Sequence, residues 1–330
     1  MNILFSVFAL IVLIVLAILG VEVANLYMLF GVIIPYAAIA GFLTGIILQV
    51  VKWARSPVPF RIPTVAGQQK SLPWIKNSKL ESPHSFLGVI GRMILEVFLF
   101  RSLFRNTKAE LKNGPTLVYG SSKYLWLAAL AFHWSLLIIV LRHFRYFTEP
   151  VFAFVPFLQN LDGFFQVGIP IIYITNIVIV VALSFLLIRR IIDPKLKYIS
   201  LSSDYFPLFL LISIVITGIL MRYFTKVDIV SIKELAMGLF SLQPVVPEGI
   251  GIMFFIHLFL VCVLLIYFPF SKLLHMPGVF LSPTRNLANN NRMKRHINPW
   301  NYPVRIHTYE EYEDEFRDKM KAAGIPLEKE

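Results

Sequence analysis

The sequence predicts an all-α integral membrane protein, a six-helix bundle with a cytoplasmic loop and a cytoplasmic C-terminal tail. Of its 330 residues, 57% are hydrophobic and 15% are charged, and the mean hydropathy is +0.71, whereas a soluble domain is about a quarter charged. Six segments reach the roughly 20 apolar residues that are needed to cross a bilayer. Because unpaired backbone groups are too costly in lipid, these segments must be helices. They lie at about 2–21, 27–51, 124–146, 167–188, 205–221 and 250–274.

The six segments divide the chain into four predicted parts. Two N-terminal transmembrane helices (1–52) precede a basic cytoplasmic loop (53–123), and a four-helix domain (124–283) precedes a cytoplasmic tail (284–330). The first segment also resembles a secretory signal, because a long apolar run lies near the N-terminus. It lacks a basic N-terminal region, and residues 20–24 form only a weak cleavage site. We therefore favour a retained membrane anchor over a cleaved signal.

The distribution of lysine and arginine predicts which side of the membrane each connection faces. The net charge is +12. Successive connections between spans lie on alternate sides of the membrane. Of the 31 lysine and arginine residues, 26 lie on one side, in the 52–123 and 189–204 connections and the tail from Lys272 onward, and 5 lie on the opposite side. Basic residues accumulate in cytoplasmic loops, so both termini are predicted to be cytoplasmic. The basic excess is thus an orientation signal, and we expect membrane lipid and no nucleic acid as its partner.

The long cytoplasmic loop has two predicted halves. Residues 53–83 contain five prolines and should run extended rather than form a packed domain. Residues 84–101 are apolar but short and charged for a span, and Arg92 and Glu96 lie one turn apart and can pair. An amphipathic helix lying in the inner membrane interface fits best. The alternative, a hidden seventh span, would put the N-terminus on the other side and weaken the charge asymmetry.

The tail and the single cysteine narrow the function less. Residues 284–307 are basic and rich in asparagine, whereas residues 308–318 are acidic with interleaved aromatics. A solvated, partly disordered tail and a docking segment for a cytoplasmic partner both remain open. Cys262 lies in the last predicted span, and one cysteine excludes an iron–sulfur or zinc site ligated by cysteines of this chain alone. Among aliphatic neighbours it is most simply a packing residue.

Four of the seven histidines lie in or at the ends of only two predicted helices. His133 and His143 are ten residues apart on the third span, and His257 and His275 are eighteen apart on the sixth, which gives about 15 Å and about 27 Å of helical rise. Eighteen residues make about five turns, so the second two point the same way, whereas ten residues leave a mismatch of about 80°. The two spans run antiparallel, which places His143 at the depth of His257 and His133 at the depth of His275.

Each of these cross-helix pairs could hold one haem iron from both faces. Neutral imidazole is a common ligand of haem iron, and ionisable groups within a span are costly and usually functional. The two axial separations differ by about 12 Å, which helix tilt must absorb. The alternative is that each histidine is a satisfied residue of the membrane interface, since His275 lies beside Lys272 and His143 between two arginines. The paired, antiparallel placement favours ligation.

Two arginines and three further histidines complete the polar inventory. Arg142 and Arg145 are candidate partners for anionic haem propionates, which guanidinium groups bind bidentately. Ordinary anchoring to lipid headgroups is the alternative for both. His84, His296 and His307 lie in predicted cytoplasmic segments without ligand spacing, and we assign them no role.

The spacing of ten and eighteen residues between the four helical histidines resembles a known family. It is similar to that of the di-haem cytochrome b subunit, or gamma subunit, of membrane-bound respiratory nitrate reductases. The resemblance covers roughly residues 120–283. The extra first span, the basic loop with Glu-Val-Phe-Leu-Phe-Arg-Ser-Leu-Phe-Arg at 96–105, and the acidic tail resemble instead the related membrane subunit of the sulfite-reduction-associated Dsr complex of sulfate reducers.

This resemblance implies cofactors and partners. Such subunits carry two b-type haems and exchange electrons with menaquinone, and their cytoplasmic partner resembles the iron–sulfur catalytic subunit of heterodisulfide reductase. Other membrane and extracytoplasmic subunits complete such complexes. The resemblance implies His143 with His257 for the outer haem and His133 with His275 for the inner haem. It also makes 124–283 a di-haem cytochrome b domain.

One departure from the family concerns the quinone site. The nitrate reductase subunits hold the quinone with a lysine near the outer haem, and the 147–166 connection contains no lysine here. Asp162 and Gln166 are the polar candidates at that depth. The side of the membrane on which the quinone binds is therefore left open.

The sequence favours an electron-transfer subunit that is not catalytic alone. Menaquinol would be oxidised in the membrane, and its electrons would pass through two haems to a cytoplasmic iron–sulfur partner in anaerobic sulfur respiration. No nucleophile motif, P-loop or hydrolytic carboxylate pair appears in the sequence. The rival from another class is a haem-free membrane anchor, or a proton or metal transporter. Against it, the spans lack acidic residues at mid-depth and show no inverted repeat of broken helices.

Overall fold

The computed structural model describes residues 2–56, 70, 74, 76–166, 170–288 and 307–329. Within these residues the α-helices are α1 (Asn2–Ile18), α2 (Ile34–Ala54), α3 (Phe86–Leu99), α4 (Arg101–Arg105), α5 (Lys123–His143), α6 (Phe154–Asp162), α7 (Ile174–Ile192), α8 (Pro194–Ile199), α9 (Ser202–Leu220), α10 (Ile229–Phe240), α11 (Ile252–Tyr267), α12 (His275–Leu281), α13 (Pro283–Asn286) and α14 (Tyr309–Ala322). The strands are β1 (Thr107–Lys112), β2 (Thr116–Ser121), β3 (Gly163–Phe165) and β4 (Ile172–Tyr173).

Six of these helices are long and apolar enough to cross a membrane, which confirms the predicted fold class. The fourth span begins at Ile174 rather than at 167, because the preceding residues Ile172–Tyr173 pair as a strand with Gly163–Phe165. The fifth span is longer than predicted, because its helix continues into polar residues at both ends of the apolar segment. With their flanking turns the spans cover Asn2–Val23, Leu29–Ala54, Lys123–Tyr146, Ile174–Ile192, Ser202–Thr225 and Ile252–Phe270.

Two clusters of buried side chains form the core, and α9 belongs to both. The first cluster joins α1, α2, α10 and α11 to α9, where Leu210 is fully buried. The second joins α5 and α7 to α9 through the next residue, Leu211. The closest helix pairs are α5 with α7, α1 with α9, and α2 with α11. The helices α5 and α11, which carry three of the four candidate ligands, are thus both packed against α9.

Gly45 sets how closely α2 approaches the turn that follows α11. A Cβ atom at Gly45 would lie 2.6 Å from Pro269 Cβ and 2.8 Å from Pro269 Cγ, and the proline ring cannot swing away. We expect Gly45→Ala to overpack this contact and to cost about 1–3 kcal/mol, measured as a lower thermal unfolding midpoint in detergent. Gly41→Ala is the matched control one turn away, where the nearest atom would be 3.8 Å distant. Equal losses in both variants would contradict the prediction.

The helix α3 is the amphipathic helix that was predicted within 84–101. Ser85 caps its N-terminus by accepting a hydrogen bond from the Gly88 N–H. Val89 and Arg92 are buried on one side. This pattern is that of an amphipathic helix, and its location in the membrane interface stays a prediction. The large apolar side chains that its other side exposes are Phe86, Leu87, Ile90, Ile94 and Phe98.

The carboxylate of Glu96 binds Ser102 and Arg285 rather than the predicted partner, Arg92. Its Oε2 accepts hydrogen bonds from the Ser102 N–H (3.1 Å) and hydroxyl (2.8 Å), and its Oε1 lies 3.7 Å from Arg285 Nη1 of α13. Among the described residues it makes no ion pair with Arg92, whose buried Nη1 has no hydrogen-bond partner there. The reason is the left-handed turn at Phe100 (φ 50°), which folds α4 so that Ser102 reaches Glu96.

The short helix α4 is tied to the loop by charge. Arg101 and Arg105 both pair with Glu81. Burial alone raises the pKa of Glu81, but the hydrogen bond and charge of Arg101, together with the charge of Arg105, hold that pKa below its usual range. The carboxylate is therefore ionised at neutral pH and joins α4 to the part of the 53–123 loop that precedes α3.

An antiparallel hairpin of β1 and β2 follows α4, and it was not predicted. Its turn places Asn113 and Gly114 at positive φ, 50° and 91°, which these two residue types adopt at low cost. An Asn-Gly pair is a known hairpin signal, so the sequence did contain the information. Lys195 of α8 reaches Glu110 at 3.3 Å and links the hairpin to the next connection on the same side.

The connections on the opposite side also contain structure. α6 follows the third span, and α10 lies between the fifth and sixth. α10 begins where the Asp228 side chain accepts a hydrogen bond from the Val230 N–H at 2.9 Å, and it buries Ile232 and Leu235. These helices were predicted only as loops, because both are too short to register as apolar spans.

The acidic part of the tail forms α14. Thr308 and Glu311 make a reciprocal capping box at its start. Glu313 is buried and accepts hydrogen bonds from the Glu328 and Lys329 N–H groups (2.8 and 3.1 Å), so the last residues fold back along the helix. The Asn-rich part of the tail and most of the Pro-rich loop lie outside the described residues.

Candidate functional site

The four predicted ligands lie on three helices rather than two. His133 and His143 are on α5 and His257 is on α11, as predicted. His275 is the first residue of α12, a separate helix. The expectation that His257 and His275 share one continuous helix is therefore wrong.

The interruption between α11 and α12 has a local cause. Pro269 lacks a backbone N–H and cannot continue an α-helix; the chain passes through two 3₁₀ turns, Phe268–Phe270 and Lys272–Leu274. The Ser271 hydroxyl between them accepts a hydrogen bond from the Leu273 N–H at 3.2 Å. As a result, the 27 Å rise expected between the two histidines does not apply, and the mismatch with α5 no longer has to be absorbed by tilt alone.

His133 and His275 meet across the bundle. Their ring centroids are 5.9 Å apart, and the ring planes lie at 81° to each other. An imidazole nitrogen binds a metal ion at about 2 Å and the ring centre lies about 1 Å farther away, so two axial imidazoles on one iron stand roughly 6 Å apart. The spacing of this pair thus fits a single iron atom between the rings.

His143 and His257 are the other predicted pair. Their side chains lie within electrostatic range of each other. Because His143 follows His133 along α5 while His257 precedes His275, the pairing runs antiparallel, in the order predicted. Among the described residues, no three His, Cys, Asp or Glu side chains converge as a metal site.

In all four histidines, Nδ1 is the ring nitrogen that makes a hydrogen bond to the protein. Nδ1 of His133 lies 2.7 Å from the Ala129 carbonyl oxygen, and Nδ1 of His143 lies 2.7 Å from that of Ile139. Nδ1 of His275 lies 3.0 Å from the Lys272 carbonyl oxygen. A carbonyl oxygen only accepts hydrogen bonds, so Nδ1 must carry the proton in each. The lone pair is then on Nε2, the nitrogen that is free to bind a metal.

His257 reaches the same state through a side chain. Its Nδ1 lies 2.9 Å from the hydroxyl oxygen of Thr217 on α9. That hydroxyl also lies 2.8 and 3.0 Å from the carbonyl oxygens of Ser213 and Ile214. Since its proton goes to one of these carbonyls, the hydroxyl accepts from Nδ1, and Nε2 is again unprotonated. Thr217 was not predicted; a hydroxyl within an apolar span was the signal that could have found it.

The rings are accessible although they lie within apolar helices. His133 and His257 are half-buried, and His143 and His275 are exposed. A cavity of about 110 Å³ adjoins His133 between α3 and α5. The rings of Phe100 and Phe132 each stand edge-on to His133 with centroids 4.9 Å away. Donor set, protonation and free surface therefore fit a flat cofactor held between paired imidazoles.

Arg142, a candidate propionate partner, and Asp162, a candidate for the quinone site, are bound to each other. Arg142 Nη1 lies 2.9 Å from Asp162 Oδ2, with side chains only 9% and 5% exposed. Asp162 also accepts hydrogen bonds from the Thr175 N–H (2.8 Å) and hydroxyl (2.6 Å). Gln166 is exposed, and the guanidinium of Arg145 lies over the ring of the neighbouring Tyr146.

A tyrosine joins this pair to a second arginine that was not predicted. The guanidinium carbon of Arg142 lies 3.7 Å from the ring centroid of Tyr173, and that of Arg222 lies 4.2 Å from it. Arg222 also donates to the Ile171 carbonyl oxygen at 3.1 Å. Two arginines and one carboxylate leave a net positive charge beside His143.

The fold and the paired histidines define a multi-pass helical membrane protein with candidate sites for axially ligated cofactors. Comparison with known sequences gives the family: the model of the nitrate reductase gamma subunit family matches residues 87–295. The chain belongs to this family. The match is wider than the 120–283 that was expected, and it includes α3 and the hairpin.

Two curated relatives match most of the chain. A protein of Archaeoglobus fulgidus named Hdr-like menaquinol oxidoreductase cytochrome b-like subunit is 45% identical over 279 residues, which cover 82% of this chain and 83% of that protein. A protein of the same name from Archaeoglobus profundus is 44% identical over 274 residues, 81% of each chain.

Proposed function

We propose that this chain is the cytochrome b subunit of a menaquinol oxidoreductase and passes electrons through two b-type haems to a cytoplasmic iron–sulfur partner. The coarse function, a membrane cytochrome b-like subunit, follows from the family and from the names of both relatives. The haems are supported by one observation above all. Each of the four histidines donates its Nδ1–H to an oxygen atom of the protein. The Nε2 atom of each ring is therefore left free to bind iron.

In this proposal His143 and His257 hold the outer haem, and His133 and His275 hold the inner haem. The chain supplies neutral imidazoles that are oriented before the cofactor arrives, because each ring is already fixed through Nδ1. It also supplies an apolar surrounding, with Phe100 and Phe132 against His133. Bound haem supplies the one-electron chemistry, with a potential that ligands and surroundings tune.

The remaining site assignments stay proposals. Arg145 and Arg142 are the proposed propionate partners, and Arg142 could serve only while it also pairs with Asp162. Asp162 and Gln166 stay candidates for the quinone site. The carboxylate of Asp162 already has three partners, so the exposed Gln166 is the freer of the two.

The topology and partners are also proposed. Both termini, the 53–123 loop and the 284–330 tail lie in the cytoplasm, and 1–52 and 124–283 hold the two-helix and di-haem parts. The partner is an iron–sulfur subunit resembling heterodisulfide reductase, in a complex with further membrane and extracytoplasmic subunits that serves anaerobic sulfur respiration. The term Hdr-like in the names of both relatives supports such a partner.

A difference spectrum tests the proposal. We expect the full chain, produced with haem supplied and purified in detergent, to show a b-type α-band in the dithionite-reduced minus oxidised spectrum. Haem extraction should give about two haems per chain. Menaquinol added anaerobically should reduce part of that haem. The same chain produced without added haem in a haem-deficient host is the control, and it should lack the band.

The absence of a b-type band from the haem-supplied protein would contradict the proposal. It would favour the rival, a haem-free anchor or a proton or metal transporter. If the band is present but menaquinol does not reduce the haem, the chain is still a cytochrome b. Menaquinol is then not the electron donor of the isolated subunit.

A further inference from the structure

His257 differs from the other three histidines in how its ring is held. Nδ1 of His133, His143 and His275 each meets a carbonyl oxygen three or four residues earlier in the same stretch of chain. Such bonds move with the helix that carries the histidine. Nδ1 of His257 instead meets the Thr217 hydroxyl of another helix, forty residues away. The orientation of this ring therefore depends on how α9 and α11 pack.

Thr217 is fixed by its own contacts. It is buried, with 8% of its surface exposed, and its hydroxyl proton is directed at the carbonyl oxygens of Ser213 or Ile214. A Thr hydroxyl in a helix commonly makes such a bond to a carbonyl one turn earlier. The oxygen lone pair is thereby aimed away from α9, at His257. A residue with the same shape but no hydroxyl would leave Nδ1–H without this acceptor.

The next residue on α9, Gly218, also faces this ring. A Cβ atom at Gly218 would lie 3.4 Å from His257 Cε1 and 3.9 Å from Nδ1, which is ordinary van der Waals contact. α9 therefore packs against the Cε1–Nδ1 edge of the ring, the same edge that the Thr217 hydroxyl binds.

We propose that Thr217 is a positioning residue for His257 and that its hydroxyl lowers the reduction potential of the outer haem. This inference rests on the proposed function, since it requires His257 to ligate a haem. An acceptor on Nδ1–H makes the imidazole a more basic ligand, and a more basic ligand favours ferric over ferrous iron. Because the acceptor belongs to another helix, this ligand can be tuned without changing the helix that carries it.

The test compares two substitutions in the full chain, purified with both haems. Thr217→Val keeps the shape and removes the acceptor, and Thr217→Ser keeps the acceptor. In redox titrations we expect Thr217→Val to move one of two midpoint potentials upward and to shift the low-spin ferric EPR signal of that haem. Its affinity for that haem should fall about 10-fold, the lower end of the range for lost partners of metal ligands. Thr217→Ser should resemble the wild type.

A background with one haem identifies which haem responds. In His133→Ala, which retains the outer haem under the proposed pairing, Thr217→Val should shift the remaining potential; in His143→Ala, which retains the inner haem, it should not. Thr44→Val, an exposed threonine on α2, is the matched control and should change neither potential.

Two results would overturn the inference. One is a Thr217→Val protein with both potentials and both EPR signals unchanged; the other is a Thr217→Ser protein that shifts as far as Thr217→Val. Loss of the outer haem from Thr217→Val, with retention in Thr217→Ser, would support it, because the haem is kept by the variant that keeps the acceptor and lost from the variant that keeps only the shape. A wild-type protein without a b-type band would instead refute the proposed function, so the two failures are distinguishable.

Discussion

Single alanine substitutions at the four helical histidines should each remove about half of the haem, and their combinations should reveal the pairs. With one axial imidazole missing, the iron loses a covalent ligand that no neighbouring side chain replaces. We expect His133→Ala and His143→Ala each to retain about one haem per chain, measured by haem extraction and reduced-minus-oxidised spectra.

The double variants make the prediction sharp. His143→Ala with His257→Ala removes both ligands of one proposed site and should still retain about one haem. His133→Ala with His143→Ala removes one ligand from each site and should retain none. The same count in both double variants would show that the pairing is wrong.

The matched control is a histidine elsewhere in the chain. His84, whose Nδ1 bonds the Asn77 side chain at 2.6 Å, should be replaceable by alanine with both haems retained. Haem loss from this control would mean that histidine substitutions disturb the fold in general. Loss confined to the four helical positions would assign the effect to ligation.

Removing the carboxylate of Asp162 should produce the largest loss of stability. Arg142 and Asp162 pair at 2.9 Å with little solvent access, and Asp162 → Ala leaves the guanidinium buried without its counter-ion. Breaking one side of a buried pair costs about 3–5 kcal/mol. We expect a loss of this size in the free energy of unfolding, measured by SDS-induced unfolding in mixed micelles.

Two further variants separate the effect of charge from that of packing. Arg142→Met combined with Asp162→Ala removes both charges and should recover part of the loss, with the rest due to the Thr175 N–H that loses its acceptor. Glu110→Ala breaks an exposed pair with Lys195 and should cost at most about 1 kcal/mol. If Asp162→Ala cost no more than Glu110→Ala, or if the double variant recovered nothing, the buried pair would not be the cause.

The parts of this structure that the sequence predicted follow from local rules. Span number depends on the length of apolar runs, which lipid enforces residue by residue, and all six were found. The order in which the histidines meet depends only on antiparallel spans. The amphipathic helix α3 also follows from a local pattern, in which apolar residues recur at helical spacing around Arg92.

The parts that it missed depend on contacts between distant residues. Nothing in the neighbours of Arg142 along the chain predicts Asp162 as its partner. Thr217 lies forty residues from His257, and only the packing of α9 on α11 brings them together. The helix break at Pro269 and the Asn113-Gly114 turn, in contrast, have signals in the local sequence. Pro269 lies within a long apolar run, which favours a continuous span. The turn lies within a basic loop, whose charge favours an irregular connection.

The interruption of the sixth span has a mechanical meaning. His275 lies on a short segment between the 3₁₀ turns that follow α11 and the helix α13, and Arg285 of α13 donates to Ser102 at 2.6 Å and faces Glu96 of α3. Through these contacts the segment that carries His275 is joined to the 53–123 loop. If a protein docks on this loop and displaces α3, we expect His275 to move with it. Thermodynamic reciprocity would then require that occupancy of the proposed site at His275 change the affinity of that protein by the same factor.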